Sequence, residues 1–316
     1  MVKKAIITAA GKGTRLYPGT NAVQKELFPL VDLDGIAKPT IQIIAEQALT
    51  AGIQEIAIVV QPGEESAFQS HFQGLSERSK PSFANKRWGL KQSDMLDRLK
   101  HCITYIHQNR QEGYGHAVHC AKEWVGDEPV LLMLGDHVYI SHLESSCVHQ
   151  LISGFERYQQ SIYAVKRTPA DRIYLFGTVT GSLVDKDPAA YQLSKIVEKP
   201  DVTYARQHLE TPGLPEGWYL TFFGMHVLTP MIFTILTEHI KKNIRDKGEI
   251  QLTTAQAELC DREGAVGLEI KGDRLDMGTP LGYLETMFTL ALQGAFSHDI
   301  QSMFQHTKKP GLTRQH

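Results

Sequence analysis

Two glycines and an arginine follow directly behind a short apolar run, in the order Ala9-Ala10-Gly11-Lys12-Gly13-Thr14-Arg15. Glycines at that spacing let a backbone approach a ligand closely and turn its N–H groups toward an anion. The planar fork of Arg15 suits phosphate oxygens. The run is not a dinucleotide fingerprint, because the third glycine of that pattern falls on Leu16. Nor is it a P-loop: the position five before Gly11 is Ile6, and Gly13 stands where Ser or Thr is required. By itself it reads as an anion cradle or as a glycine-rich surface turn. Lys25-Glu26 reads as a solvated pair, or as an ammonium beside a phosphate with a carboxylate at the rim. Asp136 ends a purely apolar stretch and suits a hard cation, a turn or a helix N-cap. Glu198-Lys199-Pro200 reads as a charged strand end broken by proline. His116 opens a helical segment and reads as structural. His137 either orients a metal-bound water or is simply accommodated beside Asp136.

The surrounding pattern supplies elements to hold these residues. Residues 5–10 form a β-branched apolar run ending at Gly11, which predicts a buried parallel strand. Helical spacing over 40–51, stopped by Gly52, leads to a second apolar run over 55–60, and strand–helix–strand opens a doubly wound α/β sheet. Residues 76–102 predict one or two exposed helices, 103–106 and 129–134 further strands, and 117–124 a helix. Gly11 and Asp136 both fall at carboxyl ends of strands, where open α/β sheets bind ligands. Beyond Leu151 the alternation loosens into mixed or antiparallel strands at 161–165, 176–179, 193–198 and 219–227. Helices follow over 230–242, 253–262 and 281–296. The expected organisation is one domain over 1–296, with a first half to about 150, a second half over about 151–280 and a C-terminal helix over 281–296. A loosely held polar tail follows over 297–316.

The 316 residues carry 33 Lys and Arg against 35 Asp and Glu, a formal charge of −2. That balance argues against a protein that binds nucleic acid by neutralising phosphates, and it offers no basic patch to a membrane. No apolar run approaches the roughly 18–20 residues that cross a bilayer. The N-terminal Lys3-Lys4 and the apolar residues behind them are interrupted too soon for a signal peptide. These observations predict a soluble, cytoplasmic protein. The four cysteines are far apart, and no spacing organises them or the fourteen histidines into a zinc site.

Further along, Lys25-Glu26-Leu27-Phe28-Pro29-Leu30 follows the glycine loop, and then come Glu112-Gly113-Tyr114-Gly115-His116-Ala117, Val197-Glu198-Lys199-Pro200, Gly248-Glu249-Ile250-Gln251-Leu252-Thr253 and Asp276-Met277-Gly278. In this order, over about residues 3–290, the series resembles the sugar-1-phosphate nucleotidylyltransferases, most closely the branch that moves a uridylyl group onto glucose 1-phosphate. The resemblance implies a Rossmann-like nucleotidyltransferase fold, a doubly wound, mostly parallel mixed sheet with an antiparallel sugar-binding portion. It implies an enzyme joining UTP to α-D-glucose 1-phosphate, releasing pyrophosphate and using Mg²⁺, and commonly forming homodimers or homotetramers. Ala10, Gly11, Gly13 and Thr14 would cradle the triphosphate, with Arg15 on the leaving pyrophosphate. Lys25 would sit near the α-phosphate and Glu26 near the nucleoside. Gln111 and Gly113 would read uracil, the glycine through its backbone. Asp136, and with it Asp276, would hold the metal. Gly177, Glu198 and Lys199 would bind the sugar and its phosphate.

Three departures bear on the substrates. Residues 33–37 form a short insertion, expected as a turn near the mouth of the site. Asn21 and Gln24 replace a lysine and a proline. Leu175-Phe176-Gly177-Thr178 replaces a tyrosine-glycine-valine-valine run at the sugar pocket. The same chemistry with dTTP or another sugar 1-phosphate, or a catalytically weak paralogue binding a UDP-sugar, are the alternatives.

Overall fold

The computed structural model describes residues 1–307. In chain order the strands are β1 (Lys4–Thr8), β2 (Pro29–Val31), β3 (Ala37–Pro39), β4 (Glu55–Val60), β5 (Ile103–His107), β6 (Val130–Leu134), β7 (His137–Ser141), β8 (Ser161–Pro169), β9 (Gly177–Lys186), β10 (Ala189–Glu198), β11 (Trp218–Leu228), β12 (Ala265–Glu269) and β13 (Gly272–Asp276). The chain divides into two compact units. The larger comprises residues 1–11, 44–135 and 139–274; the smaller comprises 12–43, 136–138 and 275 onward.

In the larger unit one sheet runs in the order β5-β4-β1-β6-β11-β8-β12-β10-β9. The first four strands are parallel; the apolar runs of β4, β1 and β6 are buried on both faces, as inner parallel strands require, and the edge strand β5 is only partly covered. The chain steps outward from β1 to β4 and β5, then returns to lay β6 on the other flank of β1. The strand order therefore reverses between β1 and β6, the place where doubly wound sheets bind ligands. From β11 onward the ladders are antiparallel, except that β12 runs parallel to β8. Helices Met231–Lys242 and Leu252–Glu263 close one apolar layer, where Ile232, Leu236 and Leu259 pack with Leu132, Tyr163 and Leu220. Full burial of each such side chain contributes about 1.5–3 kcal/mol.

In the smaller unit β2 and β3 form a hairpin with its loop at 32–36, so the 33–37 insertion makes up most of the loop and ends on Ala37, the first residue of β3. The insertion is expected near a site mouth; in the structure it packs on residues 294–296, the link between helices Pro280–Gln293 and Ser297–Thr307. Ala295 N donates to Leu33 O at 2.9 Å, and a Cβ at Gly35 would lie 3.1 Å from the Phe296 ring. Lys38 is buried and bridges Asp32 at 2.8 Å and Asp34 at 2.9 Å. Thr279 caps helix Pro280–Gln293 by accepting from Gly282 N at 3.0 Å.

The expected helix over 117–124 is two short ones, Tyr114–His119 and Lys122–Val125. Helices Glu65–Phe72, Cys147–Tyr158 and Val202–His208 are additional to the sequence expectation. Residues 297–307, expected in a polar tail, form a helix, and the remainder of that tail lies outside the described residues. No helix among the described residues is long and apolar enough to cross a membrane.

Candidate active site

Arg15, Lys25, Glu26, Asp136, His137 and Asp276 are all brought together in the smaller unit. After the left-handed Gly13 (φ 60°), Thr14–Leu16 makes one tight 3₁₀ turn and leaves Arg15 exposed. A Cβ at Gly13 would meet Thr20 Cγ2 at 2.7 Å, so the turn closes only around glycine. Lys25 and Glu26 lie on a second 3₁₀ turn, Lys25–Leu27.

Asp136 occupies the two-residue turn between β6 and β7 and caps no helix. Its Oδ2 accepts from Lys25 Nζ at 2.5 Å, and its Oδ1 lies 2.8 Å from His137 Nδ1. Burial alone would raise the Asp136 pKa, but the His137 hydrogen bond and the charges of His137 and Lys25 outweigh it and hold the carboxyl well below the ordinary range. Burial likewise opposes the Lys25 ammonium, yet Asp136 and Glu26 keep its pKa above the usual lysine value.

Glu26 departs from expectation. It is not at a rim but buried, 1% exposed, with Lys25 Nζ 3.3 Å from its Oε1. Burial pushes its pKa up to about 8, with Lys25 opposing and the Asp136 charge adding to the rise. Burial therefore shifts this carboxyl toward its protonated form, whereas Asp136 is held as a carboxylate beside Lys25.

Asp136, His137 and Asp276 each direct one ligand atom into a cluster with all three within 4.8 Å of one another. Two carboxylates suit a hard divalent cation, which takes oxygen ligands and keeps several waters. The His137 Nδ1 is already committed to Asp136, so His137 orients that carboxylate rather than replacing it. Gly278 follows Asp276 by two positions in the run Asp276-Met277-Gly278. A Cβ there would lie 2.7 Å from Arg15 Nη2, 2.9 Å from Asp276 Oδ1 and 3.2 Å from Asp136 Oδ2. Arginine and both carboxylates thus converge on a place only glycine leaves clear.

The larger unit holds the other expected residues. Ala10 is buried and Gly11 exposed at the end of β1. Gln111 Nε2 donates to Ala10 O at 3.1 Å. Gly113 (φ 113°) is packed so closely that a Cβ would stand 2.7 Å from both Glu249 Cβ and Ile250 O. At β9 and β10, Gly177 and Glu198 are directly paired, and a Cβ at Gly177 would lie 2.6 Å from the Phe222 ring and 3.3 Å from Glu198 Oε2. Glu198 accepts from Thr253 Oγ1 at 2.7 Å and pairs with Lys199 at 3.3 Å. Thr253, which ends the run Gly248–Thr253, is the residue that holds Glu198, a contact the sequence did not indicate. Lys199 takes a left-handed φ of 46°, which turns the chain at the strand end ahead of Pro200. His116 lies beside Gln108 and Cys120 as a packed group.

Comparison with known proteins matches residues 4–292 to the family described as nucleotidyl transferase. The UTP–glucose-1-phosphate uridylyltransferase of Bacillus subtilis is 34% identical over 299 residues, 92% of each chain. A second such protein, from Staphylococcus saprophyticus, is 33% identical over 94% of this chain and 95% of its own. Among solved structures, a UDP-glucose pyrophosphorylase in complex with UDP-glucose superposes with a TM-score of 0.74 at 29% identity, covering 92% of this chain and 98% of the other. A UDP-glucose pyrophosphorylase from Acinetobacter baumannii shares the fold with a TM-score of 0.79 at 24% identity, covering 98% of this chain and 100% of the other.

Proposed function

The chain belongs to the nucleotidyl transferase family, and from that membership we infer that it is an enzyme transferring uridylyl from UTP to α-D-glucose 1-phosphate, with UDP-glucose and pyrophosphate as products. The observation that carries this reading is the presence of Arg15, Lys25, Asp136 and Lys199 in a chain 34% identical to a uridylyltransferase over 92% of its length.

The chemistry asks for positioning and for neutralised charge. Two unit charges of like sign 4 Å apart repel by about 4 kcal/mol at an effective dielectric near 20. A sugar phosphate and a triphosphate therefore need cations before they can meet. A phosphate oxygen of glucose 1-phosphate attacks the α-phosphorus of UTP in line, forming the new P–O bond as the bond to the β-phosphate oxygen breaks. The attacking monoester is already ionised near neutral pH, so no general base is needed. Lys25 meets charge at the α-phosphate, Arg15 at the departing pyrophosphate and Lys199 at the sugar phosphate. Glu198, held by Thr253, accepts from sugar hydroxyls, and Gly177 leaves room for the ring. Members of this family generally work with a divalent metal. Here Asp136 and Asp276 would hold magnesium, which supplies further charge neutralisation at the phosphates.

We place the enzyme in the cytoplasm, where its nucleotide substrate is kept. We also keep a homodimer or homotetramer as part of the reading; light scattering on the purified chain measures it.

The test is pyrophosphate release from a panel of nucleoside triphosphates and sugar 1-phosphates. UTP with glucose 1-phosphate is expected to give the highest kcat/KM, and to require Mg²⁺. Preference for dTTP or another sugar would move the substrate assignment within the same chemistry. No pyrophosphate from any pair, with tight UDP-glucose binding by calorimetry, would make the chain a binding protein instead.

A further inference from the structure

Arg245 has no place in the reaction as described, yet its guanidinium is engaged on three sides. Nε donates to Asn243 Oδ1 at 2.7 Å, Nη1 to Gly248 O at 3.1 Å and Nη2 to Glu112 Oε2 at 2.5 Å. The first two bonds fold the segment 243–250 on itself. Asp246 and Glu249 exchange backbone hydrogen bonds at 2.9 and 3.0 Å, and the two residues between them, Lys247 and Gly248, are both left-handed. That is a two-residue hairpin turn with both central residues at positive φ, a conformation unfavourable for lysine without outside support.

The third bond ties this turn to the segment that carries Gln111 and Gly113. Backbone bonds run alongside it: Ile250 N to Glu112 O at 2.8 Å and Gly115 N to Ile250 O at 2.9 Å. From the other side Gln108 Nε2 donates to Gly113 O at 3.1 Å. Among the described residues, no acceptor within the chain takes the Gly113 N–H, which leaves that donor for a ligand. Gly113 itself lies against Glu249 and Ile250 with no room for a side chain.

We propose that the Arg245–Glu112 pair is the positioning clamp of the base-reading segment 111–113, acting on nucleotide recognition through that segment without touching substrate. The inference rests on the uridylyl-transfer reading, in which Gln111 and the Gly113 backbone meet the base. The two side chains keep 30% and 26% of their surface exposed, so as an ion pair they add little to stability. Their contribution is geometric, because a planar fork with three acceptors fixes where the turn meets Glu112.

Steady-state kinetics of Arg245→Ala test this. The KM for UTP is expected to rise about tenfold, and the UTP preference over CTP to fall, while kcat and the KM for glucose 1-phosphate stay within about twofold. The melting temperature should hardly move. Arg245→Lys should recover part of the loss, and the exchanged pair Glu112→Arg with Arg245→Glu should recover more than either single variant. An unchanged KM for UTP, or both KM values rising together, would overturn the clamp. If the unmodified protein uses UTP and Arg245→Ala behaves like it, the clamp alone falls. If the unmodified protein does not use UTP, the uridylyl-transfer reading falls first.

Discussion

Asp136 accepts from Lys25 at 2.5 Å and from His137 at 2.8 Å while presenting oxygen to the cluster it shares with Asp276. Removing its side chain altogether would strand a largely buried ammonium, and breaking such a pair costs about 3–5 kcal/mol. Asp136→Ala therefore confounds chemistry with stability. Asp136→Asn keeps the volume and part of the hydrogen bonding. It is expected to lower kcat by about a hundred- to thousandfold, with a folded circular dichroism spectrum and a weaker response to added Mg²⁺; full turnover at millimolar Mg²⁺ would remove Asp136 from that role. Gly278→Ala gives a complementary outcome. The nearest atom its methyl would meet is the tip of Arg15, which can swing away, so activity should fall while the thermal midpoint holds. Lys25, Asp136 and Lys199 stand out in the sequence because each ends an apolar stretch or belongs to a short local run. The burial of Glu26 was not legible, since a Lys-Glu dipeptide looks the same on a surface as in a core. Only the packed environment raises that carboxyl to about 8.

At the scale of elements, glycine shows why a motif has the residues it has. Gly113 is required both by a φ of 113° and by the backbone of Ile250 pressed against it. Gly113→Ala should destabilise the chain by about 1–3 kcal/mol in urea titrations and raise the KM for UTP, because the methyl can be accommodated only by moving the segments apart. The continuously apolar strands β4 and β6 and helix Thr40–Thr50 were readable from their apolar runs and spacing. Strands β7 and β13, which pair with each other in a two-stranded sheet, were not, because five-residue strands mixing polar and apolar residues carry no clear period. Helix Cys147–Tyr158 had its signal in Ser146, which accepts from His149 N as an N-cap. The helix over 117–124 failed because the chain turns at Cys120 and Ala121, a break that apolar spacing does not report.

Across the whole molecule, the buried face of β11 sets an acid limit on stability. His226 packs between the rings of Tyr163 and Phe222, and its Nδ1 has no hydrogen-bond partner. Burial lowers its pKa from 6.5 to about 3. The unfolded chain takes up that proton near pH 6.5 and the folded chain does not, so this residue contributes stability above that pH and loses it as the pH falls toward 3. Between about pH 7 and pH 5 the loss amounts to roughly 2 kcal/mol. Urea titrations of His226→Phe should therefore show a shallower acid decline than the unmodified chain, and parallel declines would refute the assignment. The sequence by itself determined the α/β class, the parallel first half, the antiparallel second half and the family, because these rest on hydropathic periods and short local runs. The tertiary structure decided which charges are neighbours. It set Arg15, Lys25, Asp136 and Asp276 into one small unit assembled from three separated stretches of chain, and it paired Arg245 with Glu112 across 133 positions. Electrostatic coupling depends on distance in space and on burial, and neither can be read from distance along a chain.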